Sequence, residues 1–138
     1  MKIPHYLTKM IAVVAALLML GASHASAIVI DWVPVGIAFG QTARANILNT
    51  SDRAIIMIGG RFVDSDGSVL GEFRGSIDPG KIMSFDLNRD TLPRPENRVQ
   101  IHVVIEGPEP HLRKAGMSLE VFNNADGITT AFIGDPGL

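Results

Sequence analysis

Along most of the chain, apolar and polar side chains alternate. Val99, Ile101, Val103 and Ile105 share one face of residues 98–106, while Arg98, Gln100, His102 and Glu106 share the other. A period of two over nine residues predicts a strand buried on one face. Residues 41–49 set Ala43, Ala45 and Ile47 against Thr42, Arg44 and Asn46, and Met83, Phe85 and Leu87 repeat the pattern. Leu119 and Val121 repeat it again within residues 117–123, and residues 128–133 form a last β-favouring run. Residues 28–35 are β-branched and apolar, stopped by Pro34 and Gly36, and a second run, residues 54–63, is apolar on both faces. The second is predicted to be a central strand covered on each side. No segment places apolar residues at i, i+3, i+4 and i+7 over three turns.

Turn chemistry separates these runs. Asn49-Thr50-Ser51-Asp52, Asp64-Ser65-Asp66-Gly67, Asp78-Pro79-Gly80 and Asn123-Asn124-Ala125-Asp126-Gly127 all fall between strands. Seven or eight short strands with this spacing predict an all-β fold, a single antiparallel Ig-like (Greek-key) β-sandwich. The link from Asn88 to Asn97 holds Pro93 and Pro95, is too long for a tight hairpin, and is expected to cross between sheets. Pro108 and Pro110 predict an extended loop after residue 106. Residues 128–133 are expected to pair with 117–123 at a sheet edge.

The first 27 residues have a different pattern. Lys2 and Lys9 precede an unbroken apolar run, Ile11 to Leu20, and the small-residue segment Gly21 to Ala27 ends in Ala25-Ser26-Ala27. This is the layout of a cleaved signal peptide, with cleavage after Ala27 or Ala25. Ten apolar residues are short for a membrane span of about 20. The expected organisation is therefore a signal peptide over 1–27 and one Ig-like sandwich domain over 28–138, secreted or periplasmic, with no stable membrane insertion after cleavage.

Composition narrows the chemistry. Of 138 residues, 19% are charged and none is cysteine, which excludes a disulfide scaffold, a thiolate metal site and a cysteine nucleophile. Formal charge is −2 for the whole chain. Without Lys2 and Lys9, ten basic groups face fourteen acidic ones, a net −4, which argues against nucleic acid as a partner.

Few residues suggest a site. Asp64, Asp66 and Gly67 resemble the first half of a calcium loop but lack the downstream glutamate, and a hairpin turn is the better explanation of them. Asp126-Gly127 has the same two readings, and a shared calcium site requires both turns at one end of the sandwich. His102 and His111, with Glu106 and Glu109 between them, have no recognised metal-ligand spacing. Trp32 is a candidate for stacking on a sugar, or else a core residue. Asn49-Thr50-Ser51 matches a glycosylation acceptor and also a turn. Hydrolase elbows are absent, and Gly59-Gly60 lies inside a strand with no helix to follow it.

The runs Gly40 to Thr50, Phe62 to Gly67, Pro79-Gly80-Lys81 and Ser118 to Asn124 resemble parts of a group of small secreted bacterial proteins with Ig-like sandwiches. The resemblance implies fold and export and assigns no site residue. Three functions follow as expectations. The first is a non-catalytic secreted module contacting an envelope or extracellular protein, needing no cofactor. The second is a calcium- or carbohydrate-binding module, and the third a small enzyme using His102 or His111.

Overall fold

The structure is a computed structural model describing residues 27–134, with the backbone alone described at Ile56 and His111. The described residues form nine strands: β1 (Ala27–Asp31), β2 (Val35–Ala38), β3 (Gln41–Asn49), β4 (Ile55–Asp64), β5 (Val69–Ile77), β6 (Ile82–Asn88), β7 (Arg98–Pro108), β8 (Ala115–Asn123) and β9 (Thr129–Ile133). They build two antiparallel sheets. In the first, the order is β1-β7-β4-β5, with β2 also on β7; in the second it is β6-β3-β8-β9. One core cluster, including Ile37, Ile47, Ile101, Ile105 and Leu119, holds the two sheets together as a sandwich.

The clean alternation of β7 maps onto this core. Val99, Ile101, Val103 and Ile105 are all buried, while Arg98 and Gln100 are exposed and His102 and Glu106 half-exposed. Burying one such side chain stabilises the fold by about 1.5–3 kcal/mol. Between the edges β5 and β6 an aromatic pair joins the sheets. Phe73 stacks on Phe85 with ring centroids 3.8 Å apart and meets Phe62 edge-on at 6.0 Å. Gly60 makes room for it: a Cβ there would lie 2.1 Å from the Phe73 ring.

Several boundaries differ from the sequence expectation. The run 28–35 splits into β1 and β2, which raises the strand count to nine. Both halves pair with β7, but Asp31 faces Val104 and Val35 faces Ile101, so four steps on one strand oppose three on the other. Pro34 lies in the break, where a missing N–H costs no ladder bond. β4 is central as expected, between β5 and β7, yet no further layer among the described residues covers its outer face. Its apolar run reflects a bulge: register with β5 jumps between Ile55 and Ile58, so these two isoleucines, an odd number of residues apart, both point inward. Met57 is left at φ 58 with 83% of its surface exposed. After β7 there is no extended loop. Glu109–Leu112 makes one helical turn, which accepts Pro110 near its start and buries Leu112 completely. The link 88–98 crosses between sheets as expected, and β9 pairs with β8 at the edge of the second sheet.

Candidate functional site

Four connections gather at one end of the sandwich: 38–41, 64–69, 88–98 and 123–129. Phe39 N–H donates to Asn97 O, Gly40 N–H donates to the Asp90 carboxylate, and Arg94 reaches Asp64. Asn124 ties the last connection in, accepting from Thr42 Oγ1 at 2.6 Å and donating to Asn88 and Asp90. The two Asp-Gly turns therefore do share an end.

Their carboxylates are engaged, however. Arg94 Nη2 lies 3.0 Å from Asp64 Oδ2, and Arg94 Nη1 lies 3.5 Å from Asp66 Oδ2. A guanidinium thus sits against the oxygens that a calcium ion would need. Hydrogen bonds from Ser68, then the Arg94 charge, hold the Asp66 carboxyl below the ordinary carboxylate range. Asp126 is turned to its own hairpin, accepting from Ile128 N–H at 2.9 Å. Gly67 and Gly127 take φ of 86° and 72°, the left-handed conformation both hairpins require. No group of three or more His, Asp or Glu side chains suited to a metal ion occurs among the described residues.

The other sequence candidates are scattered. His102 Nε2 lies 3.7 Å from Asp31 Oδ1 on the outer face of the first sheet. His111 belongs to the helical turn, and its side chain lies outside the described atoms. Glu109 pairs with Arg113 at 2.9 Å. Trp32 is only 5% exposed and belongs to the core, so it offers no ring face for a sugar. Asn49 is fully buried. Its amide donates to Arg53 O and Ile77 O and its oxygen accepts from Ser51 N–H and Oγ, so the glycosylation match is a turn.

Two features escaped the sequence reading. The first is Arg89, wholly buried in the sheet-crossing link, its guanidinium 4.1 Å above the Phe39 ring and donating to Arg94 O and Glu96 O. The second is an open groove of about 620 Å³ on the outer face of the first sheet, lined by Ala27, Met57, Gly59, Arg74, Glu106 and Pro108 among others. The β4 bulge creates it. Pairing of β4 with β7 starts only at Gly59, while β7 runs on to Pro108 beside Ala27. The Met57 bulge is invisible to a period-of-two reading, although the odd spacing of Ile55 and Ile58 is a trace of it.

No protein-family model matches the chain, and no curated protein matches it. Among solved structures, the crystal structure of Thermotoga maritima 1070 is similar. It aligns with a TM-score of 0.51 at 18% identity, over 80% of this chain and 93% of that one. At that identity the likeness concerns the fold. No helix among the described residues is long and apolar enough to cross a membrane.

Proposed function

We propose that this chain is an exported, non-catalytic module of immunoglobulin-like, Greek-key type that works by protein contact at the β9 edge. One observation carries the reading. β9 closes the second sheet, and Ile128 and Phe132 beside it and on it are 61% and 65% exposed. The strand Thr129-Thr130-Ala131-Phe132-Ile133 has no charged residue. Edge strands that must stay unpaired are normally guarded by charge or proline, and strand addition is a common mode of recognition. Export rests on the charged, apolar and small-residue segments of residues 1–27, which precede the described structure except at Ala27.

A photo-crosslinking residue placed at Phe132 or Ile128 tests this in cells. Adducts with an envelope or extracellular protein are expected from both, and none from the same residue at exposed Gln100. Phe132→Lys should abolish the adduct formed from position 128 while leaving the melting midpoint unchanged. Equal adducts from position 100, or none from β9, would refute the edge as the contact surface.

A further inference from the structure

We propose that the groove beside the β4 bulge is a binding site for a small zwitterion, an amino acid with an aliphatic side chain. The inference is independent of the β9 edge, which belongs to the other sheet. Gly59 pairs in register with Arg74 on one side and with Glu106 on the other, so two opposite charges flank a bare backbone floor. Glu106 leans over that floor: a Cβ at Gly59 would lie 3.5 Å from both its Cγ and its Oε1. Among the described residues neither Arg74 nor Glu106 takes part in an ion pair. Their strands lie on opposite sides of β4, about 10 Å apart, a gap that two converging side chains and a small ligand fill.

Charge selects the ligand. A simple anion drawn to Arg74 meets the Glu106 carboxylate, and a simple cation drawn to Glu106 meets Arg74. A zwitterion is matched twice, its carboxylate by the guanidinium and its ammonium by Glu106. The remaining walls are apolar. Met57 and Pro108 line the groove in either processed form, and the Met57 thioether is held out into solvent by a backbone conformation rare outside glycine. A volume of about 620 Å³ lies within the range of small-molecule sites. Strain at an exposed residue is also concentrated where ligands bind.

L-Leucine is the probe, followed by calorimetry and by amide chemical shifts of the labelled protein. Saturable binding is expected, with shifts confined to residues 57–59, 74–76 and 106–108. N-acetyl-L-leucine and L-leucinamide, each lacking one charge, should bind about tenfold more weakly or worse. Arg74→Gln and Glu106→Gln should weaken L-leucine similarly without changing the melting midpoint. Gly59→Ala keeps both charges and meets only ordinary contacts, yet raises the floor, and it too should weaken binding. The proposal is overturned by no shift at about 10 mM ligand. It is equally overturned by equal binding of the singly charged analogues, or by shifts that map elsewhere.

Discussion

Asn49 shows how much one side chain can organise without any chemistry. Both amide hydrogens and its oxygen are used, joining the β3–β4 turn to Ile77 at the end of β5, and its backbone exchanges bonds with Gly80 and Lys81. Asn49→Ala leaves the buried Ile77 carbonyl and partly buried groups of Ser51 and Arg53 without their partner and should cost about 2–3 kcal/mol in denaturant unfolding. A loss below about 0.5 kcal/mol would show that water replaces the side chain. Asp66 acts through charge. Its native carboxyl is held below the ordinary range, so it binds its proton less readily folded than unfolded. Its contribution is therefore present above the unfolded value of about 4 and is lost as pH falls through the lower folded value. Asp66→Asn should flatten that part of the acid limb of a melting-midpoint profile and leave the neutral-pH slope unchanged. Arg89 marks the limit of reading residues from sequence. Nothing in Asn88-Arg89-Asp90 distinguishes a buried arginine from a solvated one, because burial is conferred by the Phe39 ring and by two carbonyls from the same link.

At the scale of elements, periodicity was legible wherever a strand is regular and pairs on both sides. β8 follows its alternation residue by residue, β3 and β7 depart from theirs only at Thr42 and Val104, which are buried on the other face, and β8–β9 pairing follows from the Asp126-Gly127 turn. Irregularities were less legible because they are set by neighbours. The β1–β2 break and the Met57 bulge exist only as register mismatches against β7 and β5. The helical turn after Pro108 depends on Leu112 finding the core. The regular part invites a direct test on β7. Ile101→Ala, at a fully buried position, should cost about 2–4 kcal/mol, and the exposed Gln100→Thr should cost little. Equal losses would contradict the register. β9 gives a second test. Removing residues 128–138 uncovers β8 and the partly buried Ala131 and Ile133 contacts, so aggregation or failure to fold is expected. Removing 134–138 alone should leave folding nearly intact.

For the whole molecule, two sheets of modest strands enclose one core without any covalent staple, and the candidate sites lie on the outer face of the first sheet and at the β9 edge of the second. That arrangement explains why the site was much less legible than the fold. The core is written as a local pattern, whereas Arg74, Gly59 and Glu106 are brought together by register between three strands separated by up to 47 positions along the chain. It also bears on processing. Ala27 is exposed and contributes the outermost of the five register pairs between β1 and β7. Cleavage after Ala27 leaves the other four, and cleavage after Ala25 leaves all five. Chains starting at Ile28 and at Ser26 should therefore melt within about 2 °C of each other, since strand ends fray and contribute little to the global transition. Export makes the companion measurement. Mass spectrometry of the secreted or periplasmic fraction should find an N-terminus at Ile28 or Ser26, in a protein whose midpoint matches the recombinant mature chain. A membrane-held protein with an intact Met1 would refute export by cleavage, and a Ser26 chain much more stable than the Ile28 chain would show that the Ala27–Pro108 pair helps hold β1 to the sandwich.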